Sequence, residues 1–174
     1  KGSEKTVIAQ ERAAENKIFC FKLGKTSTKW TWKAEIKSIP PEKCISPKQI
    51  NMMISSKNNG MGNPIYIQIP RIKQPVPLFV LFRALGIISD KEICEYIMLD
   101  LYDEKQKKML HFLKGSIEDA NRYLTKEESF QHILEQAMYT PFNMDKKAGE
   151  KKKREFTLNV LKCDLFPHCK TPKQ

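Results

Sequence analysis

No stretch of this chain approaches the roughly 20 consecutive apolar residues that a membrane-spanning helix needs. Its start has no basic segment followed by an apolar core, so no secretory signal is legible. Catalytic signatures are missing as well. There is no glycine-rich phosphate loop, no nucleophile elbow and no HExxH. The three histidines, His111, His132 and His168, are scattered. The aspartates form no cluster that could clamp a metal for nucleotidyl transfer. The five cysteines, Cys20, Cys44, Cys94, Cys163 and Cys169, are odd in number and include no C-x-x-C, which argues against a disulfide framework. Cys163, His168 and Cys169 are close in sequence. A structural zinc needs about four ligands in recognisable pairs, however, and no second pair exists. Free thiols in a reducing compartment are the expectation, with no cofactor and no catalytic residue.

A chain of 174 residues, 40% hydrophobic, is long enough for one real core and too apolar to be disordered. Its net charge of +11 and pI near 9.4 suit a polyanionic partner such as nucleic acid, and equally suit a merely well-solvated surface. Positive charge is densest near the end. Lys146, Lys147, Lys151, Lys152, Lys153 and Arg154 stand against Asp145, Glu150 and Glu155. Such a run can position a duplex through phosphate contacts, or can be a solvated loop.

The patterning organises around PRIKQPVPLFVLFRALG, residues 70–86. Pro70, Pro75 and Pro77 forbid a helix before Val76, and Pro77 suits a first helical position. Leu78, Leu81, Phe82 and Leu85 make one apolar face, which Phe79 and Val80 widen. Gly86 suits a left-handed stop. Ser89 then opens a second helix, with Glu92 completing a capping box. Arg83, polar inside an apolar helix, is expected to anchor a carboxylate or a loop carbonyl.

Before this stretch the chain reads as strands, at residues 6–9, 18–23, 29–36, 50–54 and 64–69. Lys25 belongs to a turn, Pro40 and Pro41 end the third strand, and 55–63 is a mobile loop. In the third strand Trp30, Trp32, Ala34 and Ile36 fall on one face. That alternation favours core packing over base stacking for the two tryptophans. After 86 the chain reads as helices. Cys94, Ile97, Met98 and Leu101 are one face. Asp103 caps a helix to Leu113, Gly115 stops it, and 116–124 is a short helical piece. Thr125 and Glu128 form a capping box before Phe130, Ile133, Leu134 and Met138. Residues 141–149 are a loop, and 154–165 return to helix. The class is α+β, β-rich first and α-rich second.

The run IKQPVPLFVLFRALGIISDKEI resembles the second-largest subunit of multisubunit DNA-dependent RNA polymerases, in the domain called the lobe. A second match is Gly2-Ser3-Glu4-Lys5 with Ile8-Ala9-Gln10-Glu11-Arg12. A weaker third is Lys152-Lys153-Arg154 with Leu161 and Leu165-Phe166-Pro167-His168. The resemblance implies that residues 1–174 are a single lobe domain cut from a much longer subunit. Residues 1–12 are then the junction with a neighbouring protrusion domain. It implies a non-catalytic part of a nucleotidyltransferase that forms part of the wall of a DNA cleft, with Mg2+ bound elsewhere in the polymerase. The implied partners are the largest subunit, the DNA template and downstream duplex, and initiation factors, with no membrane. Lys5 would lie near the RNA–DNA hybrid, and the basic run from Lys146 to Arg154 near downstream DNA. The motif residues Pro77, Phe82, Arg83, Leu85, Gly86 and Glu92 would be structural. Two other readings stay open: a module that docks initiation factors, and an independent basic DNA-binding protein. The divergent segments 38–63 and 105–150, and the Lys, Ile and Asn usage, point to a large DNA virus, with a parasitic eukaryote second. The compartment follows: nucleus for a cellular source, host cytoplasm viral factory or virion for a viral one.

Overall fold

The computed structural model describes residues 2–24, 29–40, 42, 45–100, 103–142 and 145–169, without the side chains of 105 and 106. Lys25, Pro41, Cys44, Leu101 and residues 172–174 lie outside the described residues. Five strands pair antiparallel in chain order: β1 (Ile18–Lys22), β2 (Trp30–Ser38), β3 (Lys48–Ser55), β4 (Ile65–Gln68) and β5 (Val76–Pro77). Five helices follow: α1 (Leu78–Leu85), α2 (Asp90–Met98), α3 (Glu104–Ala120), α4 (Lys126–Gln136) and α5 (Lys146–Cys163). The class is α+β.

Pairing sorts the sheet's two faces. Ile36 lies opposite Ile50, and Met52 opposite Ile67, so these four share a face. Ile36, Ile50 and Ile67 are buried there and join one core with the helices. The opposite face is polar over Lys33, Glu35, Gln49 and Asn51, and turns apolar at Met53, which is buried. Lys33 Nζ meets Glu35 Oε2 at 2.6 Å, and Gln49 donates to Glu35 and Asn51. A half-solvated antiparallel sheet shows this alternation.

Two strand expectations are corrected. Residues 6–9 form no strand. Val7 and Ile8 are 95% and 83% exposed, and so short an apolar piece finds no ladder to join. The tryptophans do not share a face. A register shift between Trp30 and Trp32 pairs Trp30 with Ser55 and Trp32 with Ile54, which point to opposite sides. Trp30 packs edge-on against Tyr66, with ring centroids 5.4 Å apart. Trp32 is exposed, with Lys22 over its ring.

Helix α1 is buried on more than one side, as its unbroken apolar run requires. Pro77 pairs with Tyr66 as the end of β5 and caps the helix, which starts one residue later than expected. Leu78, Phe79, Val80, Leu81, Arg83 and Ala84 are buried; Phe82 is half-buried and Leu85 is exposed. The expected stripe is therefore turned toward the middle of the helix, away from its last residue. Gly86 adopts φ 110° and donates to the Arg83 carbonyl, while Ile87 donates to that of Phe82. This bond pair closes a Schellman turn that favours glycine.

The capping box expected at Ser89 does not form. Ser89 holds the N-cap position without a side-chain bond, and Glu92 is exposed. Helix α2 starts instead against Arg83, which is 2% exposed. Its Nη2 lies 2.6 Å from Asp90 Oδ1, and its Nη1 donates to the carbonyls of Ala120 and Tyr123 at 2.7 Å each. Helix α2 ends at Met98, where Leu99 takes φ 61°.

Helix α3 runs through Gly115 rather than stopping at it, and absorbs most of the piece expected at 116–124. The reason is tertiary. A Cβ on Gly115 would stand 2.6 Å from the Gly62 carbonyl carbon. Ile65 N–H donates to Ser116 Oγ, and Asn59 Nδ2 donates to the Gly115 carbonyl. The segment expected as a mobile loop is therefore fastened along α3.

The Thr125 capping box is present. Glu128 N–H donates to Thr125 Oγ1, and the Thr125 N–H donates to Glu128 Oε2. These bonds, the Thr125 backbone bond first, hold the Glu128 carboxyl below its ordinary pKa. The cap's contribution is present above the ordinary carboxylate pKa and is lost as pH falls through the depressed one. Thr125→Ala is expected to cost about 1 kcal/mol, read as a lower urea midpoint at unchanged slope. Beyond α4, Ala137 is buried and bridges to Ile72, while Met138 is exposed rather than part of the apolar face.

Helix α5 begins eight residues before the expected 154, so the basic run is helical and not a loop. Lys, Ala, Glu and Arg are good helix formers. Gly149, the exception, is buried where a Cβ would meet the Pro141 ring at 2.9 Å.

Candidate nucleic-acid interface

Helix α5 sorts the basic run by its period. Lys147, Lys151 and Arg154 fall at i, i+4 and i+7, on one stripe. Gly149, Thr157, Val160 and Leu161 are buried on the core side. Lys146, Lys147, Lys151 and Lys152 are exposed, and Lys153 is half-buried. Arg154 is engaged within the fold. Its Nη2 donates to both carboxylate oxygens of Glu127 on α4, at 3.1 and 3.0 Å, and its guanidinium lies 4.8 Å from the Phe130 ring centre. The structure thus brings all six basic residues onto one helix and leaves four of them freely presented. Lys5 lies in the exposed segment before β1 and belongs to no strand. Among the described residues it has no ion-pair partner.

Lys147, Lys151, Lys153 and Arg154 face α4 across a groove of about 620 Å³, with Gln131, Leu134, Glu135 and Glu150 completing its walls. A second cleft, about 580 Å³, opens where β2 begins. Lys29, Trp30, Lys57, Asn58, Tyr66 and Asp119 are among its walls. Burial, then the hydrogen bond and the charge of Asp119, raise the Tyr66 phenol well above its ordinary range against the opposing charge of Arg122.

Other ionisable groups read as structural. Burial lowers the His132 pKa despite the Glu135 and Asp119 carboxylates, and its ring lies 4.6 Å from that of Tyr123. His111 is exposed. His168 Nδ1 meets Ser38 Oγ at 2.7 Å, tying the end of the chain to β2. Among the described residues no three His, Cys, Asp or Glu side chains gather as a metal site.

Sequence reasoning missed one charged cluster. Asp164, 7% exposed, stands 3.3 Å from Lys48 Nζ and 3.4 Å from Arg71 Nε. Its partners are so remote along the chain that no local pattern could signal it. It pairs with two more cations, of which Arg71 stays exposed.

A family model described as RNA polymerase Rpb2, domain 2, matches residues 6–171. The chain is 42% identical to DNA-directed RNA polymerase II subunit RPB2 of Encephalitozoon cuniculi over 68% of its length, covering 10% of that protein. It is 32% identical to RPB2 of Schizosaccharomyces pombe over 98% of its length, covering 13% of that protein. It is 27% identical to DNA-directed RNA polymerase subunit 2 of Acanthamoeba polyphaga mimivirus over 96% of its length, covering 14%. The chain therefore spans between a tenth and a seventh of these relatives. A match across both the β-rich and the α-rich halves is a match of the whole fold, not of one motif, and the chain belongs to the Rpb2 domain 2 family, the lobe of the second-largest RNA polymerase subunit.

Proposed function

We propose that this lobe is a non-catalytic module of a DNA-directed RNA polymerase, a nucleotidyltransferase, and forms part of the wall of its DNA cleft during transcription. The carrying observation is that four exposed lysines, Lys146, Lys147, Lys151 and Lys152, project from one helix in a chain of net charge +11. Exposed cations on a rigid element neutralise phosphates without reading sequence. Lys5 is a second contact, toward the template. The Mg2+ of nucleotidyl transfer belongs to other parts of the enzyme on this reading, and the largest subunit is a partner. Nucleus, for a cellular source, or viral factory or virion, for a viral one, is the corresponding compartment. An independent DNA-binding protein that shares only local motifs fits poorly with similarity over 98% of the chain.

The test is a titration of the chain against a fluorescent DNA duplex over a range of salt. Lys146, Lys147, Lys151 and Lys152 are changed to Ala in a parallel sample. Each lost phosphate contact is expected to flatten the log–log salt slope by about one unit. Arg154→Ala is expected to change it far less, because that guanidinium is held by Glu127 and Phe130. An unchanged slope in the lysine variant removes α5 from the DNA surface.

A further inference from the structure

The groove between α4 and α5 has a chemistry that duplex binding does not use. Arg154 is already paired with Glu127, so Lys147, Lys151 and Lys153 stand against two carboxylates, Glu135 and Glu150, along its walls, a local excess of one positive charge. Leu134 gives it an apolar patch that continues into the core. Beyond α4, Met138 and Phe142 are 56% and 81% exposed. The Arg154–Glu127 pair spans the two helices farther along.

We infer that this groove is a docking site for an acidic peptide segment with an apolar anchor, contributed by a partner protein. Three observations select that occupant. Its excess positive charge calls for a carboxylate, which its lysines bind through charge-assisted hydrogen bonds. Its partly apolar wall and its volume, about 620 Å³, suit a short side-chain-bearing segment, since pockets of ~300–1,000 Å³ enclose ligands of that size. A concave site also excludes the convex surface of a duplex, whose phosphates reach only outward-pointing lysines. A second copy of this chain is disfavoured because each copy carries +11. The site shares Lys147 and Lys151 with the DNA reading but does not rest on it, since Leu134, Lys153 and Arg154 contribute only to the groove.

The test uses the 174-residue chain and a fluorescein-labelled peptide rich in Glu around a central Leu. The same peptide with every Glu replaced by Gln, and a DNA duplex, are run beside it. The Glu peptide is expected to bind at low salt and the Gln peptide to bind at least about tenfold more weakly. Leu134→Ala is expected to weaken the Glu peptide about tenfold and leave the duplex unchanged. Lys146→Ala with Lys152→Ala, both off the groove, is expected to do the reverse. Lys147→Glu with Lys151→Glu, at exposed positions that carry no core packing, should abolish peptide binding with the circular dichroism spectrum unchanged. The inference is overturned if the Glu peptide does not bind, if the Gln peptide binds as well, or if binding survives the Lys147 and Lys151 reversals. It is equally overturned if the Lys146 and Lys152 pair weakens the peptide as much as Leu134→Ala does, which would mark a diffuse basic surface. Failure of the unsubstituted chain to bind the duplex, with peptide binding intact, would count against the DNA reading alone.

Discussion

Replacing Arg83 by Leu is expected to destabilise the lobe by about 3 kcal/mol, which lowers the melting temperature of a domain this size by about 6–12 °C. The side chain is 2% exposed and joins three elements. Its Nη1 donates to two carbonyls where α3 gives way to α4, and its Nη2 pairs with Asp90 in the first turn of α2. Leucine fills the space but removes charge-assisted donors from carbonyls in a low-dielectric setting, where each is worth about 1.5–3 kcal/mol. The Ala120 carbonyl keeps one backbone donor, from Tyr123, and the Tyr123 carbonyl keeps the Ser129 hydroxyl. The loss therefore sits at the low end for a broken buried network. Arg83→Lys is expected to lose more than half of it, because a single ammonium cannot reproduce a planar fork. Asp90→Asn should lose about 1 kcal/mol, since that carboxylate is 38% exposed and solvent replaces part of the pair. Urea denaturation of the three variants gives the order. A Leu variant no weaker than Asp90→Asn would show that the carbonyl contacts contribute nothing.

Arg83 also marks the boundary of what a sequence discloses. A lone guanidinium in an apolar helix announces that it must have partners, because an unpaired buried cation is too costly. Which partners is not local information. Ala120 and Tyr123 lie 37 and 40 residues away. Local patterns worked where local physics decides. The β4 alternation, the Gly86 stop and the Thr125 box all depend on residues within one turn or one strand. They failed where a distant contact overrides propensity. Ser89 and Glu92 have the right spacing for a box, yet the first turn of α2 is organised by Arg83 on another helix. The tryptophans alternate in sequence, yet one inserted residue reverses Trp30.

The basic run shows the same division. Its charge was legible as composition, but its meaning depended on its being helix or loop. Reading 141–149 as a loop rested on Pro141 and Gly149, which usually punctuate. In the fold those two pack on each other, and the helix begins between them. Only then does the run divide into four presented lysines, a half-buried Lys153 and an Arg154 held by Glu127. The groove against α4 had no sequence signature, because its walls come from two helices joined by a connection of no marked pattern.

Gly115→Ala should reverse the usual sign of its substitution class. In an exposed helix interior, alanine for glycine stabilises by about 1 kcal/mol through backbone entropy. Here the new Cβ would lie 2.6 Å from the carbonyl carbon of Gly62, 2.9 Å from its oxygen and 3.0 Å from its Cα. Backbone cannot swing aside as a side-chain tip does. The 55–64 hairpin must therefore lift from α3, straining the bonds from Asn59 to the Gly115 carbonyl and from Ile65 to Ser116 Oγ. Two weakened hydrogen bonds at about 1 kcal/mol each, with about 1–3 kcal/mol of overpacking, outweigh the helix gain. The expected net loss is about 2–4 kcal/mol, together with faster amide exchange at Ile65. Gly149→Ala separates steric class from helix position. Its Cβ would meet Pro141 ring atoms at 2.9 and 3.1 Å, a lesser overlap than the 2.6 Å to backbone at Gly115, so its loss should be smaller. If Gly115→Ala stabilised the protein as propensity alone dictates, the hairpin would not be seated on α3. Trp30 and Tyr66, which stand at the base of that hairpin, would then lose the support that sets their edge-on packing.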